Sequence, residues 1–229
     1  MSRLAGRRVL ITGASSGVGR AATDAYASAG AHVALMARGV EGLQRAALSA
    51  REHDVQAVVV PADVTDRDEV DAALAEAIAR LGGLDVLVSC AAATVFGDFS
   101  DVAARDFDRT LEVSFLGAVN VTRAVLPELE RHDGAIVTVG SILSRTSIPT
   151  FSSYCAAKHA LRAFYEALSV ELRPRQQDHR RDGAPRRDQH AAMAAHLDRH
   201  NPPHAALASV GLLARGSRRS APRRDRNLP

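Results

Sequence analysis

The chain has 229 residues, 46% of them apolar, which suits one packed globular domain; with no Trp and only 4% aromatics, its core must be aliphatic. No apolar run approaches the roughly 20 residues of a membrane-spanning helix. Residues 1–10 lack the long apolar stretch of a secretory signal, and two cysteines cannot build a disulfide scaffold, so a reducing cytoplasm is the expected location. The formal charge of +3 hides an asymmetry. Residues 1–174 carry 17 basic and 21 acidic side chains, whereas residues 175–229 carry 12 Arg against 5 Asp.

The first 174 residues alternate short apolar runs with longer amphipathic stretches. Residues 8–12 form an apolar run that stops at Gly13, and 18–29 read as a helix ending at Gly30. A strand at 32–36, a helix at 40–52 and a strand at 56–60 follow. Residues 66–81 place Val70, Ala73, Leu74, Ala77, Ile78 and Leu81 on one helical face, and Gly82-Gly83 ends that helix. Then come a strand at 84–88, a long helix at 106–131 with Pro127 near its end, a strand at 135–139 and a helix at 152–172 before Pro174. Strands apolar throughout, separated by helices, mark a parallel sheet covered on both faces. The expected fold class is therefore α/β, a doubly wound parallel sheet.

The pattern stops at Pro174. Residues 175–229 hold no Ile, Phe, Tyr, Trp, Thr, Cys, Glu or Lys, and a segment so poor in apolar residues does not repay its ordering entropy. The expected organisation is a domain over 1–174 and a disordered tail over 175–229, with 205–214 its one short apolar patch. The tail's Arg clusters have no interleaved aromatics for base stacking, so no nucleic-acid partner is expected. His196, His200 and His204 have helical metal-ligand spacing, but Pro202 and Pro203 break any helix between the last two, so no metal site is expected.

Three places carry chemistry. After the first strand comes Thr12-Gly13-Ala14-Ser15-Ser16-Gly17-Val18-Gly19, a glycine-rich turn leading into a helix. Such glycines let backbone approach a pyrophosphate, and the helix start offers free N–H groups and a positive dipole end. In Tyr154-Cys155-Ala156-Ala157-Lys158, the tyrosine and the chain's single lysine lie four residues apart, on one face of a helix. A nearby ammonium favours the phenolate, so the pair suits proton exchange with an alcohol or carbonyl. Ser141 follows the fifth strand, where strand ends line the ligand crevice of this architecture.

Jointly these motifs, with Asp63-Val64 after the third strand, resemble the short-chain dehydrogenase/reductase family over about residues 5–174. The resemblance implies a Rossmann sheet of order 3-2-1-4-5 and a nicotinamide cofactor bound by the glycine-rich turn. It implies Tyr154 as general acid/base and Lys158 as the group that lowers the tyrosine pKa and binds the nicotinamide ribose. Ser141 would orient the substrate oxygen, Asp63 would contact the adenine with Val64 beside it, and Ala91 would line the cofactor site. The long helices 106–131 and 152–172 would serve as homodimer or homotetramer surfaces. Two positions depart from the pattern. Ser89-Cys90-Ala91-Ala92 replaces Asn-Asn-Ala-Gly, and Ser114 stands where the family has a catalytic Asn, so a shorter side chain must serve the proton relay. Cys90 and Cys155, in apolar surroundings, are expected to be structural thiols. At the end of the second strand Ala37-Arg38 brings a guanidinium where NAD-preferring relatives place an acid, which favours NADP with NAD as the alternative.

The family's sixth strand and its Pro-Gly loop have no counterpart after Pro174, so strands six and seven are expected to be missing or displaced. A shifted reading frame accounts for this: residues 178–192, back-translated and read one base forward, permit Thr-Thr-Val-Ala-Met-Val-Leu-Pro-Gly-Ala-Ile-Asn-Thr-Pro. A divergent basic tail is the alternative. The expected function is hydride transfer between a nicotinamide cofactor and a small carbonyl or secondary alcohol, away from membranes. The alternative is an inactive dinucleotide-binding or interaction protein.

Overall fold

The computed structural model describes residues 4–172 and the backbone of a strand at Val210–Ala214. Five strands run parallel: β1 (Arg8–Thr12), β2 (His32–Ala37), β3 (Ala57–Pro61), β4 (Val86–Ser89) and β5 (Ala135–Val139). The helices between them are α1 (Gly17–Ser28), α2 (Val40–Arg51), α3 (Arg67–Leu81), α4 (Ala104–Leu111), α5 (Gly117–Arg131) and, after β5, α6 (Ser152–Glu171). With β6 (Val210–Ala214), the sheet has the order β3-β2-β1-β4-β5-β6. The parallel part, 3-2-1-4-5, is the doubly wound arrangement expected from the alternation of strand and helix.

Side chains alternate across each strand, so every strand feeds two cores. Val9, Ile11, Val33 and Leu35 pack with Tyr26 and Leu43 under α1 and α2. Leu10, Met36, Leu87 and Ile136 point the other way, to Leu74, Val121, Val125 and Leu161 of α3, α5 and α6. These strands are buried on both faces, which is why they read as unbroken apolar runs. Asp85 ties the bottom of the sheet together, accepting from the Arg8 backbone N–H at 2.9 Å and from Arg8 Nε at 2.8 Å.

One expectation is corrected. The stretch expected as one helix over 106–131 begins at Ala104 and is interrupted at Glu112–Leu116 by a π-helical turn. A single extra residue in a helix hardly disturbs a 3.6-residue apolar pattern, so periodicity could not reveal it. At the sheet edge the sixth strand is displaced, one of the two outcomes expected: Val210–Ala214 pairs antiparallel with Ala135–Val139, Leu212 lying opposite Val137. A β5 edge without a partner would leave its backbone polar groups unpaired, and the tail's apolar run supplies the needed pairing. No seventh strand occurs among the described residues. The disorder expected elsewhere in the tail, and His196, His200 and His204, lie outside the described residues. No described helix is long and apolar enough to cross a membrane.

Candidate active site

A cavity of about 750 Å³ opens at the C-terminal ends of the parallel strands. Its floor is the turn after β1. Gly13 (φ +68°) and Gly17 (φ +53°) hold left-handed conformations that favour glycine. A Cβ on Gly19 would collide with the Gly13 carbonyl, whereas a Cβ on Gly17 would meet no atom within 4 Å. Gly19 therefore closes the turn, and Gly17 leaves open space beside the helix start. Ser16, the N-cap of α1, makes no side-chain capping bond, and the first turn holds no acidic residue. The N–H groups and positive end of α1 thus face the cavity with no acidic side chain in the helix's own first turn to compete for them.

Ser15, Ser16, Val18, Arg38, Asp63, Val64 and Ala91 also line this cavity. Arg38 reaches over its lip, 68% exposed, with Nη1 3.9 Å from Asp63 Oδ2. Burial would raise the Asp63 pKa, but the Thr65 backbone N–H and the Arg109 guanidinium outweigh it and hold the carboxyl below its ordinary range. Asn120 Nδ2 donates to the Val64 carbonyl at 3.2 Å and fixes that backbone.

Tyr154 and Lys158 share one face of α6 and line the same cavity. Lys158 is 3% exposed. Its Nζ donates to the Val139 carbonyl at 2.9 Å and lies 5.6 Å from the centre of the Tyr154 ring. Burial pulls its pKa down to about 8. Burial also raises the Tyr154 phenol above its ordinary value, and the counteracting group is the Ser141 hydroxyl. In this arrangement the group that opposes the effect of burial on Tyr154 is the Ser141 hydroxyl rather than Lys158.

Ser141 is the N-cap of a short 3₁₀ turn, Ile142–Ser144. Its Oγ accepts from Leu143 N and its backbone N–H donates to Ser144 Oγ, each at 3.1 Å. That capping box aims the hydroxyl, although Ser141 is not itself part of the cavity lining. Thr12 and Ser114 also lie behind the wall. Thr12 Oγ1 accepts from Cys90 N and Ala91 N at 3.1 Å, clamping β1 to the chain leaving β4. Ser114, fully buried in the π turn, accepts from Ala93 N at 2.9 Å and donates its proton to Ala93 O at 2.8 Å. The one O–H at the family's Asn position is therefore committed to backbone.

Sequence reasoning missed Arg109, which looks like any exposed helical arginine until β3 and α4 meet. It also missed the wall position of Cys90, whose thiol burial pushes up to about 12, as befits an inert thiol. No cluster of three His, Cys, Asp or Glu side chains able to hold a metal occurs among the described residues. The residues do fit a dinucleotide: a glycine-bounded space at an uncapped helix start, a cationic lip, the half-buried Tyr154 and the buried Lys158 line one cavity of suitable size.

Residues 7–176 match the family described as short chain dehydrogenase. The chain belongs to that family. Dehydrogenase/reductase SDR family member 7B of Mus musculus is 38% identical over 170 residues, covering 72% of this chain and 52% of the relative. An alcohol dehydrogenase of Thermococcus sibiricus, solved with 5-hydroxy-NADP, is 30% identical, with a TM-score of 0.70 over 72% of this chain and 71% of that one. A xylitol dehydrogenase solved with NAD+ is 28% identical, with a TM-score of 0.72 over 74% and 66%. The chain spans about half the length of the curated short chain dehydrogenases it matches.

Proposed function

We propose that this short chain dehydrogenase is NADP-preferring and interconverts a carbonyl and a secondary alcohol. The observation that carries this reading is the Tyr154–Lys158 pair on the wall of the cavity floored by the glycine turn. When bound, the nicotinamide supplies or accepts the hydride. Tyr154, its pKa raised, holds its proton at neutral pH and donates it to a carbonyl oxygen being reduced. The Ser141 hydroxyl orients that oxygen. The Lys158 ammonium, still mostly protonated at pH 7, holds a ribose hydroxyl and stabilises the phenolate left behind. Arg38 at the lip supports the phosphate-bearing cofactor, because a guanidinium pairs with a phosphate in a geometry an acid cannot offer. Exposed Leu116 and Val170, beside and on α5 and α6, support a homodimer or homotetramer through these helices.

Titrating NADPH and NADH into the protein, then following cofactor oxidation with a ketone panel, tests the reading. NADPH binds more tightly, Arg38→Asp reverses the order, and Tyr154→Phe removes turnover while keeping cofactor affinity. Tighter NADH binding by the natural chain refutes the preference, and unchanged turnover by Tyr154→Phe refutes the acid/base role.

A second reading, an inactive dinucleotide-binding protein, is favoured by Ser114, whose proton is used by Ala93 rather than by a relay. Cofactor binding without turnover of any carbonyl supports that reading.

A further inference from the structure

Phe151 stands beside Tyr154 and Phe96 stacks on Phe151, and neither is used by the chemistry above. Phe96 is 72% exposed, large for an apolar ring. It stacks on Phe151, centroids 5.8 Å apart and planes 18° from parallel. Phe151 in turn meets the Tyr154 ring edge-on at 6.5 Å. The two phenylalanines come from different loops, one after β4 and one before α6. The Gly97 N–H donates to the Thr150 carbonyl at 2.9 Å and joins these loops. Thr150, next to Phe151, has φ +68°, rare for a β-branched residue and retained only where its surroundings hold it.

We propose that Phe96 and Phe151 form a shelf that binds a flat aromatic group of the substrate, so that aryl-bearing ketones and alcohols are selected at Tyr154. The proposal rests on the oxidoreductase reading above for its reaction, but not for its binding. The exposed ring offers a flat π-face, and such a face packs best against a second ring in offset or edge-on geometry. A saturated group of equal size gains area alone. Continuity with Tyr154 assigns the patch to substrate rather than to a second copy of the chain.

Phenylacetone and cyclohexylacetone differ only in ring planarity and aromaticity. The full chain turns over phenylacetone with a kcat/KM about two- to tenfold higher than cyclohexylacetone, the range a ring–ring contact provides. Phe96→Ala abolishes that ratio, and Phe96→Leu keeps apolar contact but not the aryl preference. Ligand-observed saturation-transfer NMR on the same pair, with no turnover needed, separates the two proposals. If no carbonyl is reduced, the oxidoreductase reading fails, yet phenylacetone signal that Phe96→Ala removes upholds the shelf. Equal signals, or an unchanged ratio in Phe96→Ala, overturn it. A change of oligomeric state in Phe96→Ala with the aryl preference intact assigns the patch to a partner copy and also overturns it.

Discussion

Arg109 Nη2 lies 2.6 Å from Asp63 Oδ2, joining α4 to the chain leaving β3. Arg109 Nη1 also donates to Thr65 Oγ1 at 3.0 Å, while Asp63 Oδ1 accepts from Thr65 N at 3.0 Å and Oγ1 at 2.8 Å. Both oxygens of the carboxylate assigned to the adenine are thus set by neighbours from two elements. Asp63 is oriented before anything binds, and Arg109 acts as a positioning residue.

Arg109→Gln releases half of that setting. NADPH affinity, followed by calorimetric titration, falls about three- to tenfold, the scale of one charge-assisted hydrogen bond. The ion pair is partly exposed, at 34% and 23%, so stability changes by less than about 1 kcal/mol. Full affinity in Arg109→Gln shows that Thr65 alone suffices to hold Asp63.

Gly17→Ala and Gly19→Ala separate binding from folding. The Gly19 side chain has no room, so Gly19→Ala shifts the turn and lowers both the melting temperature and cofactor affinity. Gly17→Ala meets no atom and costs only the left-handed strain, about 1 kcal/mol, but its methyl occupies the space at the start of α1. Cofactor affinity falls at least tenfold with a melting temperature within a few degrees of the parent. Unchanged affinity in Gly17→Ala removes that space from the binding site.

Lys158 makes function and stability oppose each other. Its pKa falls from about 10.5 in the unfolded chain to about 8 in the fold, so the folded state sheds the proton first. This group's penalty is therefore fully present below pH 8 and fades as pH rises from about 8 to 10.5. Lys158→Met raises stability at pH 7 by roughly 1–3 kcal/mol, less what the lost Val139 bond contributes, and the gap closes over that window. NADPH affinity of the natural chain declines above pH 8, whereas that of Lys158→Met is low and flat. Thermal melts and titrations between pH 6.5 and 10 check both signs.

Truncation before Val210 uncovers the outer edge of β5. The shortened chain melts about 4–8 °C lower, the shift that roughly 2 kcal/mol gives a domain of this size, and associates in light-scattering measurements. Equal melting and a monodisperse shortened chain remove the antiparallel strand from the working fold. Restoring the reading frame after Pro174 supplies the family's parallel strand instead, and this chain keeps the melting temperature that truncation loses.

Much of this architecture is written locally. Arg8–Thr12, with Gly13 at its end, announces strand and turn because unbroken apolar character and a glycine break are properties of neighbouring residues. Asp66 as cap and Gly82 as stop bound α3 for the same reason. The Tyr154–Lys158 pair needs only the helical repeat to share a face. What lies between elements distant in sequence was decided by packing. Ser114 sits in a π turn and spends its proton on Ala93, Arg109 meets Asp63 across 46 positions, and Phe96 stacks on Phe151 from another loop. The tail showed the same limit: 205–214 read as its one short apolar patch, but only the unpaired backbone of β5 gives Val210–Ala214 a strand partner. Hydrogen-bond satisfaction at a sheet edge belongs to the assembled sheet, and no stretch of sequence carries it alone.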